Sequence, residues 1–304
     1  MNPAISVIIP VYNSEQYITQ AIKSVLNQTY QDFEIIIVND ASTDKTVEIV
    51  QQFTDQRIKL INNQQNLGVS KARNRALQKA KGKWIALLDS DDWYAPQRLE
   101  KLLTVARQHN ADMVADDLYL IRSRESIPWS TLLKENRQDS NSIQLIDAVQ
   151  YIISDRPSPI KFKSRRTWSL GYTKPLIRAK FLAQHQIKYQ ENLDVGEDFA
   201  FYLECLLNKA QFFLLPQPYY YYRNRQASLS VRTTIEYLYQ SYQVTQYFID
   251  HREVKQNQHL KTALKSNLTS FQNRLAYRRV LEFIKLTNLL NLLKLTLGIN
   301  LKNS

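Results

Sequence analysis

Through the first 120 residues, short and nearly continuous apolar runs alternate with longer segments whose apolar residues recur every three or four positions. The runs Ile5–Val11, Glu34–Asp40, Ile58–Asn63, Lys83–Asp89 and Asp112–Ile121 are mostly rich in Val, Ile and Leu. That pattern predicts strands buried on both faces of a parallel sheet. The intervening segments predict helices: Glu15–Asn27 after an Asn13/Ser14 cap, Thr46–Phe53 after Thr43/Asp44, Ser70–Ala80, and Gln97–His109 with Pro96 in its first turn. Strand alternating with helix predicts an α/β fold, an open Rossmann-like sheet with right-handed crossovers.

Beyond residue 121 the pattern weakens. Arg122–Asp139 reads as a polar loop and Ile143–Ser154 as a helix. Residues 166–230 combine a loop bearing Trp and Tyr, a helix from Asp198 to about Lys209, and an aromatic strand Pro218–Arg223. From 231 onward everything reads as helix, so the expected division is a domain over 1–230 and a helical extension over 231–304.

Composition narrows the class. A hydrophobic content of 44% supports a sizeable core and argues against global disorder. Cys205 is the single cysteine, which excludes an internal disulfide and a zinc cluster and fits a reducing compartment. The apolar run at the N-terminus stops at Pro10, too short for a signal peptide. No run approaches the roughly 18 to 20 apolar residues that span a bilayer. The expected location is the cytoplasm, with a peripheral position on the inner face of the plasma membrane as an option.

The net charge of +12 is uneven: residues 251–304 hold ten basic residues against Glu253 and Glu282, a net of +8. An anionic partner is expected there. Val280–Leu297 carries leucines at spacings of three and four with Lys285 and Lys294 among its polar positions. One reading is a helix that packs on the catalytic domain or on a second subunit, giving an oligomer through the C-terminal helices. The other is an interfacial helix over 280–302 on an anionic membrane. Nucleic acid is not an expected partner, because most tyrosines lie outside the basic segment and no recognised motif is present.

Open α/β sheets bind ligands beyond the carboxyl ends of their strands, and the polar clusters sit there. Asp89-Ser90-Asp91-Asp92 follows the fourth apolar run. Three carboxylates in four residues need solvent or a cation, and a hard divalent ion shared with phosphate oxygens answers that need; alternatively Asp91 or Asp92 merely caps the next helix. At the end of the second run, Asp40 precedes the capping positions Thr43 and Asp44 and still needs a partner. Asn66-Leu-Gly-Val-Ser-Lys-Ala-Arg-Asn74 places a glycine before a helix whose early turns carry Lys71 and Arg73, a plausible phosphate contact or a plain turn. Gly196-Glu197-Asp198 puts carboxylates at a helix N-terminus, where the dipole favours the ionised form a general base needs; capping is the bland alternative. Tyr219–Tyr222 followed by Arg223 and Arg225 mixes strand packing with cations able to close over a diphosphate.

Taken together these segments resemble the family-two glycosyltransferases, which have the GT-A nucleotide-sugar fold. The matching stretches are Ile5-Ser-Val-Ile-Ile-Pro-Val-Tyr-Asn13, Glu34-Ile-Ile-Ile-Val-Asn-Asp-Ala-Ser-Thr-Asp44, Asn66–Asn74, Leu87-Leu-Asp-Ser-Asp-Asp-Trp93 and Gly196-Glu-Asp-Phe199, in the family's order across about residues 4–230. The resemblance implies a mixed, mostly parallel sheet flanked by helices, with a nucleotide-sugar half over 1–121 and an acceptor half over 122–230. It implies that Pro10, Tyr12 and Asp40 hold the base, usually uracil, that Asp89 faces the ribose, and that Asp91 binds Mn²⁺ or Mg²⁺ bridging the phosphates. It further implies that Asp198 deprotonates the acceptor hydroxyl, with Glu197 nearby for acceptor binding, so that attack from the far side inverts the anomeric carbon. Arg225 joins the metal in offsetting charge on the departing diphosphate. A histidine that some relatives place near the metal is missing, leaving Arg223 or Arg225 to substitute. Trp168 and Tyr172 are sugar-stacking candidates for the acceptor. The implied partners are a nucleotide-sugar donor, UDP-linked by the family's habit, and a glycan or lipid-linked acceptor of surface polysaccharide assembly.

Two rivals are expected to fail. A sugar-phosphate nucleotidyltransferase needs a glycine-rich basic loop after the first strand, and Pro10-Val-Tyr-Asn-Ser-Glu15 contains neither glycine nor base. A catalytically inactive, membrane-associated nucleotide-sugar scaffold would lack Asp91 or Asp198, and both are present.

Overall fold

Four runs within the first 90 residues form the parallel side of a ten-stranded mixed sheet. A computed structural model describes residues 2–123, 125–135, 142–157, 169–193, 195–224 and 235–297. Its strands are β1 (Ile5–Val11), β2 (Phe33–Asn39), β3 (Ile58–Asn62), β4 (Trp84–Leu87), β5 (Trp93–Tyr94), β6 (Met113–Arg122), β7 (Ser130–Thr131), β8 (Gln144–Ile146), β9 (Leu176–Arg178) and β10 (Phe212–Asn224). The main order is β3-β2-β1-β4-β9-β6-β10-β5, with β7 on β6 and β8 on β10. β1 and β2 are buried at every position, which is why they read as continuous apolar runs.

The helices between them are α1 (Ile18–Leu26), α2 (Thr46–Gln51), α3 (Val69–Lys79) and α4 (Arg98–Gln108). α5 (Leu132–Glu135), α6 (Ala148–Ser154), α7 (Ala179–Gln184) and α8 (Glu197–Leu207) follow, then α9 (Ile235–Ile249), α10 (Arg252–Gln256) and α11 (Gln258–Leu297). Pro10 is tolerated inside β1 for a local reason. The Ile8 carbonyl accepts from Leu88, so two residues on Pro10 turns its nitrogen to the side where β4 has ended. At the opposite end of the sheet Gly82 is required by close approach: a Cβ there would lie 2.4 Å from the Ser6 nitrogen.

Antiparallel neighbours interrupt the sheet at β5, β7 and β8 along one side and, most consequentially, at its centre. β9 lies between β4 and β6 and is antiparallel to both. A three-residue strand carries too little periodicity to be read from sequence, yet it brings the segment around Lys174 to the sheet's centre. The stretch read as one helix from Ile143 divides into β8 and α6, separated by Asp147, whose side chain accepts from the Gln150 amide in a capping box. The segment read as loop before it holds β7 and α5. β10 is much longer than the aromatic strand read from sequence, because Pro216 and Pro218 are accommodated by register shifts between Leu215 and Tyr220.

The C-terminal helices are helical as expected over the described residues 235–297 and pack on the body. Val244, Phe248, Val254, Leu260, Ala263 and Leu264 belong to the same core as β1 and β4. A smaller cluster of Leu238, Phe271 and Leu275 joins α9 to α11. Among the described residues no helix is long and apolar enough to cross a membrane.

Candidate active site

A cavity of about 350 Å³ opens beyond the carboxyl ends of β1 and β4, where the topology places the strand-end polar residues. Pro10 and Tyr12 enter from β1, Asp89 and Asp91 from the turn after β4, Arg73 from α3, Glu197 and Asp198 from the first turn of α8, and Tyr172 from the loop before β9. Segments from both halves of the sequence thus meet in one hollow.

The centre is a network of two cations and three carboxyls. Arg73, 2% exposed, donates from Nη2 to Asp89 at 2.9 Å and from Nη1 to Glu197 at 3.0 Å and Asp198 at 2.9 Å. Lys174 donates from Nζ to Asp198 at 2.6 Å and lies 2.9 Å from Asp89. Tyr189 adds its hydroxyl to Asp198 at 3.1 Å. Charge imbalance sets the protonation. Burial pushes Asp89 upward, but Lys174 and Arg73 overcome it and hold its carboxyl well below the usual range. Glu197 goes the other way, raised by burial first and then by the neighbouring Asp198 charge. Lys174 keeps its proton despite burial, because Asp198 and Asp89 face it.

Gly196 makes the α8 entry possible. It is left-handed at φ 78°, and a Cβ on it would meet the Val244 side chain of α9 at 3.6 Å. The glycine therefore turns Glu197 and Asp198 into the cavity while α9 packs behind them.

Asp92 is turned away from ligand duty. Its carboxylate accepts from the Tyr220 hydroxyl at 2.7 Å and the Arg223 amide at 2.7 Å, locking the acidic turn to β10. Burial and the charges of Asp91 and Asp89 raise it well above the ordinary range. Arg223 spans the outer rim, donating to the Asp91 carbonyl at 3.0 Å and to Gln20 at 2.8 Å, with its guanidinium 4.6 Å from the Trp93 ring centre. Beneath the site, Arg98 and Asp116 form a fully buried pair at 2.7 Å, and Arg98 also donates to the Lys174 carbonyl at 2.5 Å. Rings of Tyr94 and Tyr220 sit 4.4 and 5.0 Å from that guanidinium. The loop carrying Lys174 is thereby fixed from below.

Asp40 lies outside the cavity lining. It is 3% exposed, and its carboxylate accepts from the Asn63 side chain at 2.6 Å and from the Leu67 and Gly68 amides at 2.9 and 2.8 Å. It orders the 63–68 loop. Arg73 faces the three carboxyls rather than the open N-terminus of α3. Trp168 and Arg225 lie outside the described residues. Lys174 and Tyr189 are marked by no spacing in the sequence, and Tyr220 reads there only as one of the four strand tyrosines Tyr219–Tyr222.

As to a metal, Asp91 lines the cavity beside Asp89, and among the described residues no three His, Cys, Asp or Glu side chains form a complete protein-only site. One carboxylate plus substrate phosphate oxygens is a normal arrangement for Mg²⁺ or Mn²⁺, so the donor set fits an ion completed by a ligand.

Similarity to known proteins accords with this geometry. Over 228 residues the chain is 30% identical to the succinoglycan biosynthesis protein ExoO of Rhizobium meliloti, covering 75% of this chain and 63% of that one. It is 32% identical over 235 residues to an uncharacterized glycosyltransferase of Methanocaldococcus jannaschii, covering 75% and 74%. The first 349 residues of S. aureus TarS, crystallised with UDP-GlcNAc, superpose with a TM-score of 0.66 over 90% of this chain and 72% of that one at 24% identity, a likeness of fold. The family model for glycosyl transferase family 2 matches residues 6–172. With a GT-A-like sheet, four of the five matching stretches lining one cavity and a family match over more than half its length, this chain belongs to glycosyl transferase family 2.

Proposed function

We propose that the chain is an inverting, metal-dependent glycosyltransferase that moves a sugar from a UDP donor to a glycan or lipid-linked acceptor in surface polysaccharide assembly. The observation that carries this reading is the joining of Asp89, from the donor half, to Asp198, from the acceptor half, through Arg73 and Lys174 in one cavity. Donor and acceptor chemistry need such adjacency. ExoO is named for succinoglycan synthesis and a Bacillus subtilis relative, 46% identical over 103 residues, for teichuronic acid synthesis; both names favour a polysaccharide product.

In this reading Pro10 and Tyr12 bound the base pocket, and Asp40 shapes it by holding the 63–68 loop. Asp89 takes the ribose. Asp91 holds Mn²⁺ or Mg²⁺, which supplies charge to offset the departing diphosphate. Arg223, already on the rim, adds a cation, and Arg225, outside the described residues, keeps the diphosphate role the family resemblance implies. Tyr172 and Glu197 border the acceptor, and Trp168, outside the described residues, keeps the acceptor role the family resemblance implies.

The proton step belongs to Asp198. Its Oδ1 accepts from Arg73 and Tyr189, and its Oδ2 from Lys174. A carboxylate offers about four acceptor positions, so one remains for a hydroxyl. The acceptor oxygen bonds to the anomeric carbon as its proton passes to Asp198. The bond from that carbon to the diphosphate oxygen breaks, with its electron pair leaving on the nucleotide. Attack from the opposite face inverts the centre.

The test is Asp198→Asn assayed against a panel of UDP-sugars for binding and for turnover. Retained binding with turnover lost by about 10³-fold or more supports the base assignment. Lost binding would move Asp198 into the donor site, and unchanged turnover would remove it from the chemistry.

A further inference from the structure

Two polar groups on the wall of the catalytic cavity play no part in the transfer step: Asp155, at the end of α6, and Tyr237, in the first turn of α9. Both line the same hollow as Asp198. The Tyr237 hydroxyl is hydrogen-bonded to that of Tyr172, and Asp155 and Tyr222 lie close by. The rings of Tyr172 and Tyr222 meet edge-on with centres 5.7 Å apart. Asp155 is half-buried and takes a hydrogen bond from the buried Ser169 hydroxyl. One carboxyl and several phenols thus gather in one part of the cavity.

The C-terminal helices hold this part in place. Asn267 of α11, fully buried, donates to the Ile152 carbonyl at 2.6 Å and accepts from Arg156 Nε at 3.3 Å. It therefore grips the chain on both sides of Asp155. Phe248 of α9 meets Phe199 edge-on at 6.4 Å, one residue from Asp198. Packing explains these contacts, but packing alone calls for neither a carboxyl nor a phenol at the cavity surface. A carboxylate offers about four acceptor positions, and among the described residues Ser169 fills one at Asp155. A ligand rich in hydroxyls would fill the others. Arg73 and Lys174 are engaged by Asp89, Glu197 and Asp198, so neither balances the charge of Asp155. An acidic sugar would set its own carboxylate against that charge.

We propose that Asp155 and Tyr237 select the acceptor, holding hydroxyls of a neutral sugar ring beside Asp198 while Asp155 turns uronic acids away. Helices α9 and α11 lie beyond the family match at residue 172, and they become part of the acceptor site rather than an appendage. Calling the bound sugar the acceptor rests on the glycosyl-transfer reading above, but its binding and its charge preference do not.

The experiment measures, with UDP present, the binding of two matched pairs by saturation-transfer NMR: methyl β-D-glucoside with its glucuronide, and methyl β-D-galactoside with its galacturonide. UDP affinity is followed by calorimetry on the same samples. The pH is 8, above the value of about 7 to which burial raises Asp155, so that its carboxyl is ionised. At least one neutral glycoside is expected to bind at millimolar concentration, with its acidic counterpart weaker by about fivefold or more. Tyr237→Phe removes one oxygen and keeps the ring, and should weaken the neutral sugar by about threefold or more. Asp155→Asn should narrow the gap within the pair by about fivefold or more, a change of preference that altered packing would not produce. UDP affinity should stay within about twofold in both variants. Absence of binding by both neutral glycosides, neutral binding that Tyr237→Phe leaves unchanged, or a gap that persists in Asp155→Asn overturns the proposal. Glycoside binding by an unaltered protein that fails to bind UDP would support the sugar site and count against the donor reading alone.

Discussion

Lys174→Met is the sharpest test of the charge network. The change keeps most of the stem's volume and removes the ammonium that bridges Asp89 and Asp198 at 2.9 and 2.6 Å. The lysine side chain is 5% exposed and Asp198 11%, so the stranded carboxylate has little water to turn to. Removing one partner of a buried pair costs about 3 to 5 kcal/mol. Two features reduce that here: Arg73 still contacts both aspartates, and Asp89 is 26% exposed to the cavity. The expected loss is therefore about 2 to 3 kcal/mol in unfolding free energy, measured by urea titration at neutral pH. A double-mutant cycle separates pairing from packing. With Asp198→Asn already present, Lys174→Met should cost less than it does alone, by a coupling of about 1 to 2 kcal/mol. A single-variant loss under about 0.5 kcal/mol, or strict additivity in the cycle, would show that the lysine does not hold the two carboxylates together.

Three other outcomes follow from the same geometry. UDP should raise the melting temperature more with Mn²⁺ than with chelator, and Asp91→Ala should erase that difference; a difference that persists would remove Asp91 from the metal. Asp155, on the cavity wall, is pushed up to about 7 by burial against a hydrogen bond from Ser169. An acid raised in the folded state makes stability fall as pH climbs from about 4 to about 7, by at most about 4 kcal/mol and by about 2 for a half-buried group. Asp155→Asn should flatten that fall, and parallel stability–pH curves for the two proteins would refute it. Deleting residues 280–304 should release the chain from vesicles rich in anionic lipid; equal binding by both forms would end the proposal of a membrane role for that segment.

Much of the donor side was legible along the chain. β1 and β2 announce themselves because strands buried on both faces are apolar at nearly every position, and the polar residues that follow must then lie at one edge of the sheet. The same reasoning puts Tyr12, Asp89 and Asp91 at that edge. The acceptor side resisted because its elements are short or interrupted. β9 has three residues, β8 has three, and β10 carries two prolines. None of these gives a period long enough to read.

By itself the sequence determined the α/β class, the parallel strands, the strand-end carboxylates and the glycine-led first turn of the helix bearing Asp198. Each of these is written in local spacing. Only the tertiary structure decided who pairs with whom. Arg73 turned from a helix-end cation into the partner of three carboxyls, Lys174 emerged from an unmarked loop, and Asp92 left the acidic trio to anchor β10. Such pairings span up to 131 residues of chain. They follow from burial, which makes an isolated charge so costly that the fold must bring its partner to it, and burial is a property of the packed sheet rather than of any segment.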